Sequence, residues 1–508
     1  MKVAIIGCGV IGAGWAARFL LNGFDVCIFD PSSEAPRRMQ HVLGNARASL
    51  PALYDRVLPS PGQLSYASTV ADAVKEADWV QESAPERLEL KRGLYAAIEP
   101  HLKDGAIFAS STSGFRPSEL QKLCTVPGRL IVAHPFNPVY LLPLVEIVGS
   151  DETPATTKSR AAEILISVGM HPLVLDREID GFIGNRLQEA VWRETLWMVK
   201  DGIATTAQID DAILYSFGLR WAQMGQFASY RLGGGEAGIR HFLAQFGPSL
   251  AEPLTHLMDV PELDEALIER IASQSDAQAK GRSIAQMEQA RDASLVALIR
   301  ALKGEQIGAG GTVRVHEATL PFSLDDEPLI VTARRVIPPT WTDANGHMNE
   351  AHYLEVASNA TDVLTESCGV TAEYIAAGRS HFTAESHIRY LAELHQGDEI
   401  TVRTQVLFAN GKKAHLFHRF LAPDGRLAAT VEVMILHIDL ATRAVCPPLP
   451  HVGAALERLA AAHATLPWPE GAGNAIRDLR PKEVPEPQLR FQSEEVPSRD
   501  HWKYSQPT

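Results

Sequence analysis

Met1-Lys2-Val3-Ala4-Ile5-Ile6-Gly7-Cys8-Gly9-Val10-Ile11-Gly12 decides the fold of the first part of this chain. Val3 to Ile6 is a short apolar run of strand type, and Val10 to Asn22 has helical periodicity. Gly7, Gly9 and Gly12 fall between and into them with the spacing G-x-G-x-x-G. Gly7 permits a tight turn, Gly9 lets backbone N–H groups approach a pyrophosphate, and Gly12 lets the helix pack close to the strand. A second strand, Val26 to Phe29, ends in Asp30, eighteen positions after Gly12. A carboxylate there accepts hydrogen bonds from ribose hydroxyls and repels a 2′-phosphate, so the pattern predicts NAD rather than NADP. Gly7, Gly9, Val10, Ile11, Gly12 and Asp30 are the expected cofactor-binding residues.

Working outward, Trp79 to Gln81, Ala106 to Ala109 and Leu130 to Ala133 read as further strands separated by amphipathic stretches. That alternation predicts a doubly wound, Rossmann-type α/β domain over 1–180. The rhythm then stops: Gly184 to Val199 and Pro261 to Leu302 read as helices, giving an all-helical substrate and dimerisation domain over 181–303. Gly304, Gly308, Gly310 and Gly311 mark 304–328 as the expected linker. Beyond it, Ile400 to Phe408, Ala414 to Leu421 and Leu427 to Leu440 alternate apolar and polar residues around Asn410-Gly411 and Asp424-Gly425, the favoured hairpin turns. With a helix over Glu350 to Ser367, ending before Gly369, they predict an α+β unit over 329–452. A short helix and a poorly ordered tail are expected over 453–508.

The net charge of −14, without a basic block, excludes a nucleic-acid backbone as partner. No signal peptide and no apolar run of bilayer-spanning length is seen, so the expectation is a cytoplasmic chain without a membrane partner. Cys8, Cys27, Cys124, Cys368 and Cys446 are scattered, as for reduced thiols. The histidines His347, His352, His381 and His387 lack the spacing of metal ligands on one helical face, and no metal is expected.

Oxidising a secondary alcohol needs a base, donors to the oxygen and a fixed hydride path. Ser110-Ser111-Thr112-Ser113-Gly114 follows one strand, and His134-Pro135-Phe136-Asn137-Pro138 closes another, both at carboxyl edges where ligands collect in such sheets. Glu146 comes twelve residues after His134, and Asn185 opens the helical domain in Gly181-Phe182-Ile183-Gly184-Asn185-Arg186. Over roughly the first 300 residues the chain resembles the 3-hydroxyacyl-CoA dehydrogenase superfamily. That resemblance implies His134 as general base, Glu146 as its orienting carboxylate, and Ser113 and Asn185 as contacts of the substrate oxygen. Such a carboxylate on one imidazole nitrogen fixes the tautomer and raises basicity at the other.

Ser111 and Pro135-Phe136 depart from the acyl-CoA branch, which usually has Asn and Phe-Phe at those places. The run Ala133 to Glu146 resembles the free-acid branch, which holds gulonate and carnitine dehydrogenases and crystallin relatives. Gly218 to Phe227 and Gly233 to Gly238 look most like its carnitine-oxidising members, which implies L-carnitine as substrate and 3-dehydrocarnitine as product. A quaternary ammonium has no hydrogen-bond donor and is held by aromatic faces. Phe136, Tyr140, Trp192, Trp221, Phe227 and Tyr230 are the aromatics that could supply them. Another free hydroxy acid such as gulonate, or a non-catalytic NAD-binding protein, is the alternative.

Asp343-Ala344-Asn345-Gly346-His347-Met348-Asn349, the following helix and Tyr353 resemble hot-dog thioesterases of the 4-hydroxybenzoyl-CoA type over about Leu329 to Pro450. The resemblance implies Asp343 as base or nucleophile on a thioester, with backbone N–H groups at the helix start polarising its carbonyl. Glu350 stands where that family often has Asn. Carnitine dehydrogenases fused to such a module imply betainyl-CoA as its thioester, and both families imply a homodimer; a module kept only for dimerisation is the alternative.

Overall fold

The computed structural model describes residues 1–222, 224–233, 238–246, 262, 264–320 and 329–476. The first sheet contains β1 (Lys2–Ile6), β2 (Asp25–Phe29), β3 (Leu64–Tyr66), β4 (Trp79–Glu82), β5 (Ile107–Ser110), β6 (Leu130–Pro135), β7 (Leu144–Val148) and β8 (His171–Val174), in the spatial order 3-2-1-4-5-6-7-8. All neighbours are parallel except β6 and β7. The order reverses between β1 and β4, which leaves a crevice at their carboxyl ends, the ligand position of doubly wound sheets. The Val10–Leu21 helix covers one face, burying Trp15 and Phe19 completely. Val80, Tyr95, Phe108 and Phe182 fill the other.

The five strands read from the sequence all form, while β3, β7 and β8 lie outside that reading. The helical domain begins with the Gly184–Lys200 helix, as expected. The Pro261 to Leu302 helix is in fact two, Glu265–Ala279 and Ile284–Gly304, parted at Lys280 and Gly281, which take positive φ. The linker reading over 304–328 is corrected at its glycine-rich part, while 321–328 lie outside the described residues. Gly308–Thr319 is a helix packed on the preceding one, and a Cβ on Gly310 would collide with the Leu302 and Lys303 backbone. Gly310 permits close helix contact instead of loosening the chain. His316 bonds Tyr54 Oη (3.0 Å) and the Ser167 carbonyl (3.1 Å), docking that helix on the first domain.

The second sheet contains β9 (Ile330–Val336), β10 (Arg379–Tyr390), β11 (Glu399–Asn410), β12 (Lys413–Leu421), β13 (Leu427–Asp439) and β14 (Ala444–Val445). It is antiparallel, in the order 10-13-12-11-9, with β14 on β13. The Glu350–Ser367 helix lies on one face, sharing a core of Val356, Ala360, Leu364, Val402, Leu416 and Val431. The C-terminal helix spans Pro450–His463. Most of the tail expected to be poorly ordered, 477–508, lies outside the described residues, as does part of the Gly233 to Gly238 motif.

The two units meet at an ion cluster. Asp55 receives Lys303 (2.7 Å), Arg300 (3.1 Å) and, from β9, the buried Arg335 (3.5 Å); Arg56 pairs with Glu366 at 2.5 Å. Burial pulls Arg335 down to about 10 against the opposing pull of Asp55.

Candidate active sites

Gly7 takes φ +96°, and a Cβ there would lie 2.7 Å from the Ser83 carbonyl, so the loops after β1 and β4 touch across the crevice. A Cβ on Gly12 would strike the Gly7 carbonyl, whereas Gly9 faces open space, the clearance a pyrophosphate needs. Asp30, at the end of β2, accepts from the Cys8 N–H (2.6 Å) and the Ser32 N–H (2.8 Å), and Arg38 lies 3.5 Å away. Oδ1 accepts from both Ser32 and Arg38, while Oδ2 accepts only from Cys8 and keeps a lone pair, so the residues present fit a dinucleotide. Val10 is exposed and Ile11 half-buried at the start of the helix.

A buried network that sequence reasoning missed shapes the β4 loop. Glu82, fully buried, accepts from Lys91 (2.8 Å), Tyr95 (2.6 Å), Ser110 (2.7 Å) and the Ala84 N–H (2.6 Å). Lys91 also reaches Glu86 at 3.2 Å, and Glu86 in turn accepts from Thr112 Oγ1 and the Ser113 N–H. Ser111, where the acyl-CoA branch has Asn, bonds Gln81 (2.7 Å) and Ser83 (2.8 Å).

The antiparallel turn between β6 and β7 sets His134 directly opposite Glu146. Cross-strand partners share a face, and Nδ1 of His134 lies 2.8 Å from Oε2 of Glu146. The other oxygen of Glu146 accepts from the N–H groups of Ile183 and Gly184, each at 2.9 Å. Burial opposes ionisation of Glu146, but the bonds from His134, Gly184 and Ile183 outweigh it and hold the carboxyl below its usual range. An ionised carboxylate only accepts, so Nδ1 carries the proton and Nε2 is left as the base. Gly181 and Phe182 both take positive φ just before those two N–H groups, and the buried Phe182 ring lies 5.6 Å from the imidazole. Phe136 also packs against the imidazole, at 4.9 Å. Asn185 follows at once, donating to the Ser113 carbonyl at 2.8 Å. His134, Glu146, Ser113 and Asn185 are thus brought together.

From Asn185 opens a cavity of about 1250 Å³ lined by Gln188, Glu189, Trp192, Asp210, Phe217 and Trp221, among others. Asn185, Gln188 and Trp192 stand on one helix face at turn spacing. Ile213–Phe217 forms a π-helical turn, and Gly218, whose Cβ would lie 2.6 Å from the Ile213 carbonyl, permits it. Phe217 and Trp221 rings pack at 4.6 Å. Of the expected aromatics, Trp192 and Trp221 line this space. Tyr140 does not: it is buried, with its hydroxyl on Asp292 at 2.5 Å. Phe227 is 83% exposed outside the lining, and Tyr230 stacks on Phe242.

In the second unit, Asp343 sits on the turn into the Glu350–Ser367 helix. Its N–H donates to the His347 carbonyl (3.0 Å), one oxygen accepts from the Asn345 N–H (2.8 Å), and the other lies 3.6 Å from His347 Nδ1. Asn349 caps the helix through the Ala351 N–H. Among the described residues no three His, Cys, Asp or Glu side chains are grouped to hold a metal, and no helix is long and apolar enough to cross a membrane.

Comparison with known proteins agrees with this architecture. The 3-hydroxyacyl-CoA dehydrogenase NAD-binding domain matches residues 2–179, its C-terminal domain 181–271, and the thioesterase-like superfamily 337–456. The chain belongs to the 3-hydroxyacyl-CoA dehydrogenase family, in a group that carries a thioesterase-like module, and is an enzyme of both kinds. A protein of Ruegeria pomeroyi described as L-carnitine dehydrogenase/betainyl-CoA thioesterase is 54% identical, covering 93% of this chain and 99% of the relative. One of Agrobacterium fabrum with the same description is 51% identical over 95% and 100%. An L-carnitine dehydrogenase of Mesorhizobium japonicum is 53% identical over 62% of this chain and 87% of its own length. The crystal structure of FHMPC 5-dehydrogenase, an NAD+ dependent dismutase, superposes with TM-score 0.52 at 27% identity, over 60% of this chain and 98% of that one.

Proposed function

We propose that the first unit oxidises L-carnitine to 3-dehydrocarnitine with NAD, and that the second hydrolyses betainyl-CoA to betaine and CoA. One observation carries the first part: Asn185, next to the Gly184 N–H that holds the Glu146 carboxylate of the His134–Glu146 pair, opens a cavity whose walls hold aromatic rings and carboxylates. Nε2 of His134 takes the C3 hydroxyl proton, while Glu146 stabilises the imidazolium that forms. Asn185 and Ser113 hold the oxygen as it becomes a carbonyl. Gly7, Gly9, Val10, Ile11, Gly12 and Asp30 would hold NAD, which supplies the acceptor for the C3 hydride. Trp192, Trp221 and Phe217 offer faces to the trimethylammonium group, and the carboxylates in the same wall are Asp210 and Glu189, the latter paired with Arg193 at 2.6 Å. Phe136 bounds the reacting end beside His134.

In the second unit Asp343 activates water or attacks the thioester itself, and the Asp343→Ala variant is expected to lose thiol release from betainyl-CoA; undiminished release contradicts the role. His134→Ala is expected to abolish NADH formation from L-carnitine while NAD still binds, and substantial residual turnover contradicts the base assignment. The reading includes a homodimer, supported by apolar side chains exposed on the helical domain, Leu214, Tyr215 and Leu232 among them. Sedimentation at about twice the 55.4 kDa chain mass supports it, and a monomer contradicts it.

A further inference from the structure

Against the first turn of the helix that follows the Asp343 turn, the hot-dog unit leaves an aromatic side chain open where the fold calls for a core residue. Along β10, Ile388 and Tyr390 pair with Val431 and Ala429, both in the core, so Tyr390 lies on the helix-facing side of the sheet. Yet Tyr390 is 52% exposed. Its ring meets that of the buried Tyr353 edge to face at 5.1 Å, and Tyr353 rests on Phe420 at 5.6 Å, so the open ring is backed by fixed ones. Burial pushes the Tyr353 phenol up to about 12, so the backing stays neutral. Glu350 begins the helix that carries Tyr353, one residue past the Asn349 cap, and is exposed without a hydrogen bond or ion pair among the described residues. Glu350 stands one helical turn before Tyr353, on whose ring Tyr390 packs, so the carboxylate and the open ring share one end of that helix; burial, then the Glu350 charge, holds the Tyr390 phenol above its ordinary value.

An open ring with an unspent carboxylate beside it suits one ligand chemistry above others. A cation without hydrogen-bond donors gains from the ring face and from the charge together, whereas a neutral acyl group gains nothing from the charge and a carboxylate is repelled. We infer that Glu350 and Tyr390 form the acyl-end subsite of the thioesterase unit and select a quaternary-ammonium acyl group. In betainyl thioesters one methylene separates the ammonium from the thioester carbon, so the cation has to sit close to Asp343. Asp343 closes the same turn that delivers Asn349 and Glu350. The inference rests on the betainyl-CoA reading above and names the residues that read the charge.

The test measures thiol release by the full chain from betainyl-CoA and from 3,3-dimethylbutyryl-CoA, its neutral isostere. Glu350→Gln and Tyr390→Leu are each expected to lower kcat/KM for betainyl-CoA about tenfold or more. The neutral thioester should stay within about twofold, which also reports that the variants fold, and Tyr390→Phe should retain the preference. Equal losses on both thioesters, or no loss on betainyl-CoA, overturn the inference alone. A wild-type chain that releases no thiol from betainyl-CoA overturns the reading beneath it, and the inference with it.

Discussion

The carboxylate of Glu146 does two jobs with two oxygens: one fixes the imidazole of His134, the other ties down the start of the helix that carries Asn185. Glu146→Gln removes the charge and turns one acceptor into a donor. We expect kcat to fall by about two to four orders of magnitude with NAD binding spared, the range seen when a His-orienting carboxylate is neutralised; steady-state rates beside cofactor titration check this, and an unchanged kcat contradicts it. Because its folded pKa is depressed, the Glu146 contribution is present above the usual carboxylate value of about 4.3 and is lost as pH falls below it. The pair therefore stays set across the neutral range. His134, Glu146, Ser113 and Asn185 were legible as a set by family resemblance, but the opposed register of β6 and β7 was not, since it depends on a strand absent from the sequence reading. Phe217 and Phe182 were missed because a π-helical turn and a left-handed residue leave no periodic mark. Tyr140 was misread for the opposite reason: nothing in its neighbourhood announces Asp292, 152 positions away.

Elements whose apolar pattern is one-sided were read correctly, and those governed by close approach were not. The meander β11–β12–β13 and the Glu350–Ser367 helix match their sequence patterns nearly to the residue. β10 was passed over, its edge residues being largely exposed, and the Gly308–Thr319 helix was mistaken for linker because glycine also serves tight helix packing. Gly184 shows the same logic at the site, since a Cβ there would run into the Phe136 ring. Gly184→Ala is expected to displace Phe136 and the helix start together, lowering kcat about tenfold or more with little change in NAD affinity; an unaffected kcat contradicts this placement. Across the hot-dog sheet, His418 lies fully buried between Thr361 (3.0 Å) and Thr404 (2.7 Å), and burial lowers its pKa to about 3. The unfolded chain takes up that proton near 6.5 and the folded one does not, so stability falls as pH drops from there toward 3, by about 1.4 kcal/mol per unit at most. Melting curves from pH 7.5 to 5 should slope down, less steeply for His418→Gln; parallel slopes contradict the linkage.

At the scale of the molecule, the two units are joined by charge as well as by chain. Asp55 collects three cations from the helical domain and from β9. Burial works against its ionisation, and Lys303 with Arg300 reverses the balance, holding it below its usual value. A domain order could be read from changing periodicity, whereas this junction could not, because its members come from four separate stretches of chain. Asp55→Asn leaves Arg335 buried without its partner, and with Asp55 itself about a third exposed we expect a loss of about 1–3 kcal/mol and partial uncoupling of the two units in calorimetry. A single transition at the wild-type temperature contradicts this.

The most direct test of the account is NADH formation by the full chain, followed with L-carnitine, gulonate and 3-hydroxybutyryl-CoA under the same conditions. Reduction of NAD with L-carnitine, and little or none with the other two, is the expected result; turnover of 3-hydroxybutyryl-CoA or gulonate in its place, or of none of the three, contradicts it.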